Sequence, residues 1–295
     1  MNSGRRLFCL FLMVSLAQSL WAQSSSPKDQ QLSLPSDKTP EQVLALVALN
    51  FGVREFRDGA REKAIHYFTE AKRLDPNLLN ARLYLATAYA SQYIPAGSSV
   101  ANQKNGETAI AEFREVLTLD PENISAIDGL GSIRFQMAGT PFNRELFLES
   151  KSCFQKHRQL RSEDVEPHYW IGVIDWTLAY RSNGELRARL NHDGGKQAGD
   201  VGPLPPDIRE EYSREYSAMV EEGIESMKKA LSLRSDYDDA MAYLNLLYRR
   251  KADMVETQAD REGLLKMADE LVDKVKEIKT KRAEHLAQPE IKHQN

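Results

Sequence analysis

The residues with the strongest claim to chemistry lie in one short run, VEPHYWIGVIDWTLAY, Val165 to Tyr180. His168 could move a proton, Asp175 could act as a base, and Tyr169, Trp170, Trp176 and Tyr180 offer flat faces for stacking. Acid–base work needs a second titratable group at a suitable spacing, and the chain does not supply one. His66, His157, His168, His192, His285 and His293 form no HExxH pair, and CxxC, GxSxG and phosphate-loop patterns are absent. In NHDGGK, Asn191 to Lys196, one His and one Asp stand without partners at metal-ligand spacing. That favours a flexible polar turn over a metal site. Cys153 adjoins Phe154 on an apolar face and reads as a buried, inert thiol. The pattern points to a chain that is not an enzyme and needs no cofactor or metal. A hydrolase with its acids in residues 181–206 is the weaker alternative.

The elements around this run all read as helix. EQVLALVALNFGVREF and REKAIHYFTEAKRLDP carry apolar residues at three- and four-residue spacing, the second stopping at Asp75-Pro76. The pair recurs as LNARLYLATAYASQY followed by GETAIAEFREVLTLDP. Ahead of the first helix, Thr39 suits the N-cap, Pro40 the first turn and Gln42 the reciprocal capping-box position. No alternating strand pattern appears, so the class is all-α.

The second helix of each pair repeats a 4-3-5 spacing: Ala64, Phe68, Ala71, Pro76, then Ala109, Phe113, Val116, Pro121. It decays to Ser150, Phe154, His157, Ser162 and to Gly223, Met227, Ala230, Ser235. The first helices supply Phe51-Gly52, Leu85-Ala86, Leu130-Gly131, Ile171-Gly172 and Leu244-Asn245, with Tyr89 and Tyr248 three residues after the second member of two of them. These motifs resemble the tetratricopeptide repeat (TPR), a helix–turn–helix unit of about 34 residues. The resemblance implies a right-handed α-solenoid of about five helix pairs over residues 41–286. Small residues let two antiparallel helices approach, aromatics fill the space between them, and stacked pairs bury faces that no single pair can bury.

The departures from the period are informative. Gly52 to Ala86 is 34 residues, but the next intervals, to Gly131, Gly172 and Asn245, are 45, 41 and 73. The surplus falls between the two helices of a repeat, in Ile94–Gly106, in Ala138–Leu146 and in a long insertion at 181–206, all expected as loops from their Gly, Pro, Asn and Ser. At the end, Leu264, Leu265, Ala268, Leu271, Val272, Val275 and Ile278 form one apolar stripe that suits a terminal cap.

In the resembled family the first helices line a concave groove that holds a peptide or partner helix. Matching each repeat places Tyr84, Phe135, Tyr169, Trp170, Trp176, Tyr243, Arg249 and Arg250 on that groove, alongside Asp128 and Ser132. Aromatics and Arg are the types that anchor interfaces. Ile171-Gly172 becomes a helix-packing pair and His168 a large packing residue. Arg134 and Asp175 occupy equivalent slots in adjacent repeats, which predicts a partly buried structural ion pair between them.

Residues 1–22 read as a secretory signal: Arg5-Arg6, an apolar run too short for a membrane span, then small Ala22. An uncleaved anchor is the alternative. Residues 23–40, rich in Ser, Pro and Gln, read as a disordered linker, and 287–295 as a disordered tail. Loss of Arg5 and Arg6 leaves 37 basic against 43 acidic residues, a net charge of −6 with a single cysteine. An acidic chain argues against nucleic acid. The expectation is an exported, periplasmic or secreted scaffold of the bacterial cell envelope. It would be a monomer or weak oligomer, binding another protein or peptide. A groove for small molecules or glycans is the alternative.

Overall fold

The computed structural model describes residues 38–192 and 202–287. The expected signal at 1–22, the linker up to residue 37 and the tail from 288 lie outside the described residues. Among the described residues ten helices follow one another: α1 (Pro40–Arg57), α2 (Arg61–Leu74), α3 (Leu79–Gln92), α4 (Val100–Leu119), α5 (Ile124–Ala138), α6 (Arg144–Leu160), α7 (Val165–His192), α8 (Pro206–Leu233), α9 (Asp238–Ala252) and α10 (Gln258–Ala287). No strand forms among the described residues, and none of their helices is long and apolar enough to cross a membrane. The chain is all-α.

Two compact units are distinguishable. Of the described residues, the first comprises those up to 92 together with 111–126, and the second comprises 93–110 and those from 127 onward. In the first unit, α1 begins with the capping box expected from TPEQ: Gln42 N–H donates to Thr39 Oγ1, and Thr39 N–H donates to Gln42 Oε1. Gly52 then lets α1 close onto α2, since a Cβ there would lie 2.5 Å from the Phe68 ring. Phe68 joins Leu49, Ala64, Ala71, Ala81 and Leu85 in the core. The second helix ends at Asp75, whose N–H donates to Ala71 O while its carboxylate accepts from Asn77 N–H. Lys72 and Arg82 both meet Glu112 of α4.

The second unit repeats the close approach twice. A Cβ on Gly131 of α5 would lie 3.0 Å from the Phe154 ring of α6, and one on Gly172 of α7 would lie 2.6 Å from Met227 Cε of α8. Ser150 Oγ adds a hydrogen bond to Gly131 O at 2.7 Å. Helix α8 also packs on α9, and α9 on α10. Leu264, Leu265, Leu271, Val272, Val275 and Ile278 of α10 are half-buried and Ala268 is buried, while Arg282 ties the far end of that helix to Asp236 and Asp238.

Two insertions are more helical than their composition suggests. Residues 181–206 were expected as a loop, but α7 continues through His192. Asn183-Gly184 looks like a helix breaker, yet Asn183 is buried and donates to Asp253 Oδ2 at 3.2 Å, and Arg187 reaches back to Asn183 at 2.9 Å. Arg187 also meets Asp253 at 3.1 Å and Gly202 O at 2.9 Å. A satisfied buried network and the apolar Leu186 outweigh the propensity cost of one glycine, about 1 kcal/mol. Residues 193–201, including most of NHDGGK, lie outside the described residues.

In the first insertion α4 already begins at Val100. Buried Asn102 closes the preceding turn, accepting from Ile94 N–H at 2.7 Å and donating to Ile94 O and Gly97 O, both at 2.9 Å. Asn102→Ala removes all three bonds at once. The expected loss is about 2 kcal/mol in a urea titration of the full chain; an unchanged midpoint would show that solvent replaces them.

Candidate functional site

The expected groove residues divide between the two units. In the first, Tyr84 of α3 is half-buried with its ring 5.8 Å from that of Phe68. The other seven belong to the second unit, where α5, α7 and α9 carry a connected aromatic cluster.

Two of these seven are interior residues. Tyr169 is 1% and Trp170 5% exposed. Trp170 stacks on Phe154 at 5.5 Å and meets Phe135 edge-on at 5.2 Å, filling the space between α7 and the α5–α6 pair. Tyr169 is enclosed by Tyr237 at 5.0 Å and Tyr243 at 5.8 Å, and burial pushes its phenol far up. Assigning groove faces from the first helices alone overlooks the side chains that fold over them from α6 and from the turn before α9. Tyr169 and Trp170 are therefore buried packing residues of the second unit.

Phe135, Trp176 and Tyr243 remain half-buried. Trp176 stacks on Tyr180 at 5.1 Å with planes 23° apart, and Tyr243 meets it edge-on at 5.3 Å. Tyr180 is 40% exposed and completes this surface. It was not among the expected site residues, although its position one turn after Trp176 on the same helix was the available signal. The Trp176 indole N–H is closed off from solvent and has no acceptor; Ser132 Oγ and Gln136 Oε1 of α5 are likewise buried and unpartnered. Arg249 and Arg250 are engaged internally. Arg249 donates to Asn245 at 2.9 Å and Asp269 at 2.5 Å, and Arg250 donates to Asn183 at 2.6 Å and pairs with Asp253 at 3.2 Å, its guanidinium 5.8 Å from the Tyr180 ring.

The expected Arg134–Asp175 pair does not form. Arg134 pairs with Glu149 at 2.9 Å and donates to Cys153 Sγ at 3.4 Å. Asp175, with no exposed surface, meets Lys151 at 2.5 Å. Lys151 also meets Glu222 at 2.9 Å, and Glu222 accepts from Arg158 and Gln155, each at 3.1 Å. The register that aligns Arg134 with Asp175 ignores α6, which supplies Lys151 to Asp175 and Glu149 to Arg134. Burial raises the Asp175 carboxyl to about 7, with Lys151 opposing.

His168 is buried, as a packing residue should be, and donates from Nε2 to Ser162 O at 2.8 Å. Burial pushes the Cys153 thiol up, away from the reactive thiolate, with Arg134 opposing. Among the described residues no group of three or more His, Cys, Asp or Glu is placed to hold a metal ion.

No family model and no curated protein matches the chain. Solved structures do. "Crystal structure of MamA protein" is similar at 17% identity and a TM-score of 0.53, covering 83% of this chain and 97% of that one. "MamA 41-end from Desulfovibrio magneticus RS-1" is similar at 18% identity and 0.52, covering 82% and 97%. "Crystal structure of YrrB: a TPR protein with an unusual peptide-binding site" stands at 14% identity and 0.49, covering 80% and 92%. At these identities the likeness concerns fold alone. With the glycine-to-large-residue interlock at Gly52–Phe68, Gly131–Phe154 and Gly172–Met227, the fold is TPR-like.

Proposed function

We propose that the chain is a non-catalytic scaffold that captures another protein, or an extended peptide of one, on the Phe135–Trp176–Tyr180–Tyr243 face of its second unit. One observation carries this reading: half-buried Trp176 stacks on the 40%-exposed Tyr180 ring at 5.1 Å and meets Tyr243 edge-on at 5.3 Å, so the face presents connected aromatic rings. Aromatic rings of this kind offer a large apolar area at low entropic cost and anchor protein interfaces. The apolar leader at residues 1–22 supports work outside the cytoplasm, in the bacterial cell envelope.

The exposed Tyr180 ring, stacked on Trp176, also favours a second reading, a site for a sugar ring or another flat ligand. A pull-down with the mature chain and with Trp176→Ala/Tyr180→Ala decides between them. Partner recovery should fall at least about tenfold in the variant while its thermal midpoint holds. Equal recovery from both proteins would rule out this face. Thermal stabilisation of the parent by oligosaccharides, lost in the variant, would favour the second reading.

A further inference from the structure

His157 of α6 and His168 of α7 are both buried, at 2% and 7% exposure, in opposite surroundings. His157 presents Nδ1 to Asp128 Oδ1 at 2.8 Å and Nε2 to Asp164 Oδ2 at 3.1 Å. An ionised carboxylate only accepts hydrogen bonds, and a neutral imidazole has a single N–H. With both carboxylates ionised, both contacts are therefore hydrogen bonds only when the ring is the doubly protonated imidazolium. Asp128 lies on α5 and Asp164 in the turn joining α6 to α7, so the charged ring ties three consecutive elements together. His168 has one polar partner, the carbonyl of Ser162, which needs one N–H. A second proton there would be buried near the cations of Arg158 and Lys229, with the Ser162 carbonyl and Glu163 opposing.

We propose that these two histidines make the α6–α7 joint a two-sided pH gauge, tight only while His157 is charged and His168 is neutral. The other charged groups facing the joint are fixed in pairs. Arg161 of α6 lies 3.9 Å from Asp164, and Arg158 lies 3.1 Å from Glu222 of α8. Lys229 of α8 lies 3.0 Å from Glu163, and Arg234, just past α8, lies 3.6 Å from Glu166 of α7. On the α5 side Cys153 takes a hydrogen bond from Arg134, which pairs with Glu149. Burial pulls His157 down, but Asp128 and Asp164 outweigh it, and the ring titrates above its ordinary value. Burial of His168 brings its titration below that value.

The signs follow from linkage. The stabilisation from His157 is complete below the ordinary histidine value of about 6.5 and is lost as pH rises through its raised folded value. The stabilisation from His168 is complete above about 6.5 and is lost as pH falls through its lowered folded value. Burial also raises Asp128 and Asp175, which tilts the whole stability profile toward acid. The readout must therefore be the difference between parent and variant.

The test is an imidazole titration of the mature chain carrying isotope-labelled histidine, with resonances assigned from His157→Gln and His168→Gln, and thermal melts at about pH 5, 6.5 and 8.5. His157 should titrate above, and His168 below, the solvent-exposed value. The melting deficit of His157→Gln should shrink toward alkaline pH and that of His168→Gln toward acid. If His157→Gln does not fold, Asp164→Asn leaves the Asp128 contact in place and should move the His157 titration back toward the ordinary value. Rings titrating on the same side of that value, or deficits independent of pH, would overturn the proposal. Any pH control of partner capture rests on the binding face proposed above. The titration and the melts need no partner, so they succeed or fail independently of it.

Discussion

Lys151→Met should cost about 3–5 kcal/mol in a denaturant titration, among the largest single effects in the chain. Its ammonium lies between Asp175, which has no exposed surface, and Glu222. Methionine fills much of the same volume but leaves buried Asp175 without its cation, facing a Glu222 still held by Arg158. Asp175 then takes up a proton or forces water inward, and either outcome loses stability. The double variant Lys151→Met/Asp175→Leu removes both members of the pair and should recover much of the loss, because a buried ion pair against an apolar pair of similar size is often nearly neutral. Additive losses in the double-mutant cycle would show that the two residues do not act as a pair.

Gly172→Val is the second large expected effect, about 3 kcal/mol of destabilisation. Its Cβ would fall 2.6 Å and 2.8 Å from Met227 Cε and Cγ and 3.1 Å from Gly223 O. The end of Met227 can swing aside, but the Gly223 carbonyl belongs to the α8 backbone and cannot move without parting the two helices. Gly184 is the internal control on the same helix. Nothing lies within 4 Å of a Cβ placed there, so Gly184→Ala should raise stability by about 0.5–1 kcal/mol through helix propensity alone. Opposite signs for the two substitutions in urea titrations would separate packing from propensity; a Gly172→Val variant as stable as the parent would refute the close-approach account of Gly172.

How legible each feature was in the sequence depends on how local its cause is. The capping box at Thr39–Gln42 and the stop at Asp75-Pro76 involve residues within one turn of each other, and both appear as read. The interlock of Gly52 with Phe68 or Gly131 with Phe154 is also readable, because a short turn forces the two helices together and a repeated spacing marks which residues meet. The partner of Asp175 was not readable. Aligning equivalent slots places Arg134 opposite it, but only the packed structure shows α6 delivering Lys151 to Asp175 first. Trp170 and Tyr169 were assigned to a surface for the same reason: one helix's register gives the direction of a side chain and omits what Phe154 and Tyr237 do above it. Asn183-Gly184 resembled a break because Asp253, the acceptor that anchors Asn183, lies 70 residues away.

Glycine at 223 also couples a bare stretch of helix to a buried charge. A Cβ at that position would stand 3.0 Å from Asp175 Cβ and 3.1 Å from Leu247. The carboxylate that meets Lys151 is therefore seated against a place where α8 has no side chain. A side chain at 223 would press on Asp175 and Leu247, which would have to give by a few tenths of an ångström. A smaller residue at 175 would relieve that contact but would take from Lys151 one of its two carboxylate partners. Changes at 223 and 175 are therefore coupled rather than independent, because the space one needs is the space that seats the other.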